Sequence, residues 1–245
     1  MLDRDVVDGV HRISEYFVNW YLIEESGRLT VVDAGLPASW RSLHDALNAI
    51  GRAPGDVEAL VLTHAHFDHI GFAERARSEL GIPVWVHEND APLTRRPWLY
   101  MTERSPLAYL SRQNLLIVAS MVRAGAARVR PIRTINRYGD EDTLDVPGSP
   151  RVLFTPGHTL GHCALHLPER DVVISADALV TYDPYTDTLG PRIVARGATA
   201  DSRRALASLD RIARTGAGTL LPGHGEPWTG GAERAVSEAR RAGVL

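Results

Sequence analysis

Three histidines and one aspartate fall within six consecutive positions, in the stretch Thr63-His64-Ala65-His66-Phe67-Asp68-His69. Neutral imidazole and carboxylate are ligands for zinc, and equally for divalent manganese or iron, so the chemistry on offer is metal binding. The stretch follows the apolar run Ala59-Leu60-Val61-Leu62, which reads as a buried strand, and precedes a polar, helix-like segment that ends near Gly81. In an extended segment side chains two apart point to the same side, which brings the rings of His64 and His66 together over one ion. Asp68 and His69 come where the chain turns into the helix and aim elsewhere, toward a second ion. The alternative for this pair is an N-cap and a surface ring.

The same arrangement, an apolar run followed by a ligand-type residue, recurs along the chain. Asp33 ends the run 29–32. Residues 151–154 lead into Thr155-Pro156-Gly157-His158-Thr159-Leu160-Gly161-His162. Residues 172–175 lead into Asp177, and Thr219-Leu220-Leu221 leads into Pro222-Gly223-His224-Gly225. If those strands lie side by side, Asp33, His64, His158, Asp177 and His224 converge on one edge.

The elements that must position these residues follow from pattern. Runs 10–14, 18–24 and 29–32 read as a strand meander with Glu25-Ser26-Gly27 as a hairpin turn. Ser39 is the expected cap of a helix carrying Trp40, Leu43, Leu47 and Ile50, stopped by Gly51. Pro83-Val84-Trp85-Val86-His87 reads as a buried strand. Runs 164–167 and 172–175 are further strands, Asp201 or Ser202 opens a helix with Leu206, Leu209 and Ile212, and a closing helix spans about 231–241. Residues 91–130 break the β-rich pattern: Trp98, Leu99, Tyr100, Met101, Tyr109 and Leu110 gather there, and a helix is expected from Ser105-Pro106 to Gly125. This reads as a helical insertion, either a lid over a substrate pocket or a helix packed on the core or at a dimer contact.

The chain has 245 residues, 44% hydrophobic and 23% charged, which fits one domain spanning 1–245 with a core of ordinary size. The net charge of −3 argues against a general nucleic-acid binder. No apolar run approaches the ~18 residues that span a bilayer. The start Met1-Leu2-Asp3-Arg4-Asp5 lacks the apolar segment of a signal peptide, and Cys163 stands alone, so a cytoplasmic protein is expected. All 27 basic residues are arginine, which reflects a GC-rich genome more than any function.

With these residues in view, the chain resembles the metallo-β-lactamase superfamily over nearly its whole length. The resemblance rests on Thr63 to His69, Pro156 to His162, Ser175-Ala176-Asp177-Ala178 and Pro222 to Gly225, in the family's order. It implies an α/β fold, a four-layer αβ/βα sandwich of two mixed sheets with helices outside, and two divalent metal ions, Zn²⁺ first, with Mn²⁺ or Fe²⁺ as alternatives. It implies that His64, His66 and His158 hold the first ion, that Asp68, His69 and His224 hold the second, and that Asp177 bridges them. Asp33 matches an aspartate that supports a ligand from behind, and His162 either orients a ligand or makes a structural hydrogen bond. Lactamases proper generally lack a counterpart of Asp177, which argues against antibiotic hydrolysis. Homoserine-lactone hydrolases place a tyrosine soon after that aspartate; here Tyr182 and Tyr185 lie nearby at a different spacing. The Pro156 to Cys163 stretch is similar to glyoxalase II, but no separate C-terminal helical domain for glutathione is evident.

Two divalent ions less Asp68, Asp177 and a bridging hydroxide leave a charge of about +1, which favours a transition state gaining negative charge. The hydroxide would attack a carbonyl carbon or a phosphorus; Asp68 would pass a proton to the leaving group, or Tyr182 would donate to the substrate oxygen. The expected function is hydrolysis of a small ester, lactone or thioester, with the apolar insertion favouring an acyl substrate. The alternatives are a mononuclear iron dioxygenase for sulfur compounds and a phosphodiesterase of the same fold. A small-molecule substrate is expected, with neither nucleic acid nor membrane as partner, and a homodimer stays open. His11, His44, His87 and His166 read as structural, and Cys163 as a small buried strand residue.

Overall fold

A computed structural model of the chain describes residues 1–99 and 101–245. The first half supplies β1 (Leu2–Val7), β2 (Val10–Glu15), β3 (Val18–Glu25), β4 (Arg28–Val32), β5 (Val57–Val61), β6 (Val84–His87) and β7 (Asn136–Tyr138), which lie in that order in one sheet. Tight turns join β1 to β4, so those strands are antiparallel. From β4 onward the connections carry helices, α1 (Ser39–Ala49) and α2 (Ala73–Glu79), and the strands run parallel. The second half supplies β8 (Arg151–Phe154), β9 (Cys163–Leu167), β10 (Val172–Ala176), a separate two-stranded ribbon of β11 (Val180–Asp183) and β12 (Thr188–Arg192), and β13 (Thr219–Pro222). Its main sheet has the order β13-β10-β9-β8, with β13 parallel to β10 across α5 (Ser202–Ala213), and α6 (Ala232–Ala242) closes the chain.

Three apolar layers stack these elements. Tyr21, Ile23, Val32 and Val61 of the first sheet pack on Val152, Leu165, Ile174 and Leu221 of the second, forming the interior between the sheets. The opposite face of the first sheet, with Leu22, Val31 and Leu60, is covered by Trp40, Leu43 and Leu47 of α1 and Ala73 and Ala76 of α2. The opposite face of the second, with Val173 and Leu220, is covered by Leu209 and Ile212 of α5 and Ala235 and Val236 of α6. The result is the expected four-layer αβ/βα sandwich of two mixed sheets. Among the described residues, no helix is long and apolar enough to cross a membrane.

Four local expectations change. β1, β7 and the β11–β12 ribbon were outside the expected strand set: β1 is half polar, β7 is three residues long, and β12 contains Gly190 and Pro191, tolerated because the ribbon has two free edges. Ser39 is the first residue of α1 rather than its cap, and its hydroxyl accepts the Leu36 N–H at 3.2 Å. Asp201 does cap α5, accepting the Arg204 N–H at 2.8 Å. The helix expected from Ser105 to Gly125 is broken: Pro106–Tyr109 forms a single 3₁₀ turn, and α4 (Arg112–Arg123) starts behind a new cap, Ser111, which accepts the Asn114 N–H at 3.1 Å. The Asn114 amide then donates to the carbonyls of Tyr109 and Tyr185, fixing the break. A further short helix, α3 (Ala91–Arg95), lies before it, and Gly125 ends α4 at φ +93°. Tyr100, one of the aromatics noted above, lies outside the described residues.

Candidate metal centre

β4 and β5 run parallel in the first sheet, β8, β10 and β13 share a direction in the second, and the residues that follow these strands meet at one edge of the sandwich. Asp33 follows β4, the Thr63 to His69 loop follows β5, His158 follows β8, Asp177 follows β10 and His224 follows β13. All of these residues except Phe67, which is partly buried, are buried. The metal-binding atoms of His64, His66 and His158 lie within 4.8 Å of one another, as do those of Asp68, His69 and His224. Asp177 stands between the trios: its Oδ2 is 3.3 Å from His158 Nε2 and 3.1 Å from His224 Nε2, and its Oδ1 is 3.6 Å from His69 Nε2. Its Oδ2 is also 3.9 Å from His64 Nε2.

Three of the rings, His64, His69 and His224, are held from behind at Nδ1 so that Nε2 faces inward. Asp33 accepts the Thr63 N–H and hydroxyl at 2.8 Å each, and lies 2.9 Å from His69 Nδ1. Because the Thr63 hydrogen goes to Asp33, His64 Nδ1–H donates to Thr63 Oγ1 at 3.1 Å and leaves its Nε2 lone pair free to coordinate. His224 Nδ1–H donates to the Phe17 carbonyl at 2.5 Å. That carbonyl is presented by a two-residue hairpin turn in which Tyr16 and Phe17 both adopt left-handed φ, +53° and +69°, a strained choice for non-glycine residues. His162 accepts the Asp177 N–H at Nε2 (3.2 Å) and donates from Nδ1 to Thr155 Oγ1 (2.9 Å), so it fixes the backbone of Asp177 by an ordinary structural hydrogen bond.

Two further supports carry no motif. Asp90, fully buried after β6, accepts the Ala65 N–H at 3.0 Å, the Thr159 hydroxyl at 2.8 Å and the Gly161 N–H at 2.7 Å. It therefore ties the loop of His64 and His66 to the loop of His158 and His162. Burial, partly offset by those bonds, pushes its carboxyl up to about 6. The loop of His224 is held by Asn19, whose amide donates to the Pro222 and Gly225 carbonyls, by the Tyr21 hydroxyl on Pro222 O at 2.6 Å, and by Arg12 on Gly225 O. Gly223 must be glycine here: a Cβ would lie 2.0 Å from Asp177 Oδ1.

The trios differ in charge. Burial, followed by the neighbouring imidazoles, holds His64 and His158 well below the ordinary histidine range, and burial against the pull of Asp177 lowers His66 to about 3. Burial also disfavours charge on His69 and His224, but Asp177 and Asp68 outweigh it, with Asp33 added for His69. They are raised to about 10 and about 9. Burial would raise Asp177, but His224 and His69 hold it well below the carboxylate range; burial does raise Asp68. His64 Nε2, His69 Nε2, both nitrogens of His158 and Asp177 Oδ1 are buried with no hydrogen-bond partner. Inward nitrogens without partners, crowded beside two carboxylates, are the pattern a cation satisfies once His69 and His224 give up their protons, so the residues fit divalent metals.

A cavity of about 290 Å³ opens on this edge. His66, Asp68, His158, Asp177 and His224 form its base; Leu107, Leu110, Leu115, Ile117, Val118 and Met121 form much of its wall. Residues 91–130 therefore do two things that the sequence offered as alternatives. α4 packs Ile117 and Met121 on Val18 and Leu36, and it lines the pocket. Tyr185 lines the cavity and meets Tyr109 edge-on at 5.8 Å. Tyr182 is outside the lining; its hydroxyl donates to Asp187 at 2.9 Å. The structure thus gathers His64, His66, Asp68, His69, His158, Asp177 and His224, puts Asp33 and His162 against them, and leaves Tyr182 apart. His11 accepts the Asp5 N–H, His44 packs edge-on to Trp40, His87 stacks on Phe154, and His166 pairs along β9. Cys163 is buried, and burial pushes its thiol well up.

This edge-of-sandwich geometry has counterparts. The chain is 29% identical over 244 residues to the probable metallo-hydrolase YflN of Bacillus subtilis (strain 168), covering 92% of this chain and 87% of that protein. It is 32% identical over 192 residues to the acyl-coenzyme A thioesterase MBLAC2 of Gallus gallus, covering 71% of this chain and 64% of that protein. The solved structure of TTHA1623 in a di-iron-bound form aligns with a TM-score of 0.62 and 27% identity, covering 89% of this chain and 92% of that one. A family model described as the metallo-beta-lactamase superfamily matches residues 13–224, a span that takes in most of the first sheet, all of the second and all seven gathered side chains, and the chain belongs to that superfamily.

Proposed function

We propose that this protein is a dinuclear metal-dependent hydrolase of a small ester, lactone or thioester with an apolar acyl part. The observation that carries this reading is the apolar cavity whose floor is Asp177 with His66 and His158 of one trio and Asp68 and His224 of the other. His64, His66 and His158 would hold one ion, Asp68, His69 and His224 the other, with Asp177 shared between them. Bound there, two divalent cations supply Lewis acidity and bring the pKa of water toward neutrality. Zinc suits these ligands, and the di-iron form of TTHA1623 is the reason to test iron beside it.

The chain's own residues supply the rest. The wall of Leu107, Leu110, Leu115 and Val118 packs an acyl chain and excludes water from the reacting carbonyl. Asp68 sits on the cavity floor, buried, where it is placed to move a proton to the leaving alkoxide or thiolate. The similarity to an acyl-coenzyme A thioesterase supports the thioester member of the class. Among the described residues no arginine lines the cavity to grip a phosphodiester, which favours carbonyl chemistry over phosphorus.

Metal analysis of the purified protein, together with turnover of lactone, acyl thioester, phosphodiester and β-lactam panels, tests the reading. Two metals per chain and hydrolysis that improves with acyl length are expected. One iron per chain with oxygen uptake would replace it by a dioxygenase, and preference for the phosphodiester would replace the substrate class.

A further inference from the structure

The connection between β6 and β7 differs from the rest of the chain in charge and in surface. Residues 91–133 contain eight arginines and one acidic residue, Glu103; the remaining chain has 19 arginines against 29 acidic residues. All eight arginines are exposed, and among the described residues none of them makes a salt bridge. Glu103 itself pairs with Arg196 outside the segment.

The same segment exposes large apolar side chains. Trp98 is 48% exposed, Leu99 67%, Leu116 58% and Val122 55%. On α4 the helical spacing puts Leu116, Ala119 and Val122 on the face opposite buried Ile117 and Met121, with Arg112 and Arg123 at the two ends of that face. Thr94 and Ile132 are joined through their backbones, which brings Arg95 and Arg96 beside Arg130 and Arg133. Trp98 donates to the Ala126 carbonyl, which holds it against the short turn that ends at Arg128. Apolar side chains flanked by unpaired cations, at the mouth of an apolar cavity, form the pattern of a segment lying in a lipid interface.

We propose that residues 91–133 dock on an anionic lipid bilayer, with the outer face of α4 and Trp98 in the interface and the arginines on the headgroups. The lack of a spanning helix bears on crossing a membrane and not on lying against one. A second copy of the chain is the poorer occupant. A two-fold contact through this face would set two surfaces of like charge, about +7 each, against one another. An anionic bilayer matches both the charge and the apolar surface, and it brings the cavity mouth, walled by Leu107, Leu110 and Leu115, next to acyl chains. The inference does not depend on the reaction proposed above, since its test reads binding alone.

The experiment is co-sedimentation of the metal-loaded protein with phosphatidylcholine vesicles, with and without phosphatidylglycerol, at low and high salt. Partition at least about tenfold stronger on the phosphatidylglycerol vesicles, and weakened by salt, is expected. Arg112→Glu with Arg123→Glu, and separately Leu116→Glu with Val122→Glu, should each reduce that partition by about tenfold or more while metal content and circular dichroism stay unchanged. Absence of binding to anionic vesicles, equal binding to both vesicle types, or self-association in sedimentation velocity that Leu116→Glu abolishes would each overturn the proposal. The lipid comparison on the unaltered protein decides the matter even if a variant does not fold.

Discussion

The two trios meet at Asp177 but are built on different electrostatics. His64 is backed by the neutral Thr63 hydroxyl, its ring packs against those of His66 and His158, and burial keeps all three uncharged. His69 is backed by Asp33 and faces Asp68 and Asp177, while His224 is backed by a carbonyl and faces the same two carboxylates. The first trio is therefore ready for a cation at neutral pH. The second holds protons there, and a metal must displace them. One fold edge thus offers a site of neutral ligands and a site of ion-paired ligands about one carboxylate apart.

The largest effect should come from removing what they share. Asp177→Ala takes away the group that lies within 3.9 Å of an inward nitrogen on four histidines. The metal affinity of both trios should fall by more than the 10–100-fold typical of a supporting partner, and hydrolysis should fall with it. Retention of two metals per chain in this variant, measured by elemental analysis, would falsify the shared-ligand arrangement.

Next in size is a difference in pH dependence. With His69 at about 10 and His224 at about 9 in the metal-free protein, binding at the second trio should strengthen about tenfold per pH unit for each proton displaced, between pH 6 and 9. Binding at the first trio should be flat over that range, since His66 titrates at about 3 and its partners are also held low. Calorimetry in buffers of different ionisation enthalpy reads the protons released; identical slopes at the two sites would remove the contrast. Stability of the metal-free protein follows the same signs. The raised pair contributes stability that is complete below about 6.5 and lost as pH rises through 9–10; the lowered trio contributes stability present above about 6.5 and lost as pH falls toward 3. Asp33→Asn should weaken the second trio by about 10–100-fold and the first by less, because Asp33 touches His69 directly and reaches His64 only through Thr63.

How these residues could be read from sequence differs sharply between ligands and supports. His64 to His69 are contiguous, and His158, Asp177 and His224 each follow an apolar run, so strand ends alone bring them to one edge. Asp90 contributes one carboxylate to two distant loops, and Asn19, Tyr21 and Arg12 bind backbone carbonyls of Pro222 and Gly225. Backbone acceptors carry no residue-type signature, so nothing at positions 222–225 points to position 19. The only available signal for Asp90 was a carboxylate three residues after a buried strand, weaker than the one that marked Asp33 because Glu88 stands nearer the strand end. The layers were legible because apolar periodicity reports burial. The β11–β12 ribbon was not, because a two-stranded edge needs little apolar content and admits Gly190 and Pro191.

Asp90 gives a smaller effect, and one that tests the brace between the trio's two loops. Asp90→Ala leaves the Ala65 and Gly161 N–H groups buried without an acceptor, at about 1–3 kcal/mol each. Against this, the native carboxyl is raised to about 6, so its contribution to stability is fully present below about 3.8 and lost as pH rises through 6. The variant should therefore be more destabilised, relative to the parent, at pH 4 than at pH 7.5, by about 3 kcal/mol. Urea unfolding of both metal-free proteins at the two pH values measures it. A difference of the opposite sign would mean that Asp90 is held in place as a well-solvated ion rather than as a buried brace.

The smallest effect separates the two tyrosines that follow Asp177. Tyr182 donates to Asp187, a partner at the surface, is also hydrogen-bonded to the Gln113 side chain of α4, and lies outside the cavity lining, whereas Tyr185 forms part of the cavity wall beside Tyr109. A hydroxyl committed to an exposed carboxylate contributes about 0.5–1.5 kcal/mol to stability and stands away from a reacting carbonyl. Tyr182→Phe should therefore cost at most about 1 kcal/mol in urea and leave kcat within about threefold, a barrier change below about 1 kcal/mol. Tyr185→Ala should instead raise KM for acyl substrates more than it lowers kcat, because it opens the wall and not the floor. A fall in kcat of about a hundredfold for Tyr182→Phe, with KM unchanged, would show that the tyrosine leaves Asp187 for the substrate oxygen during turnover, and that the ribbon of β11 and β12 moves to bring it there.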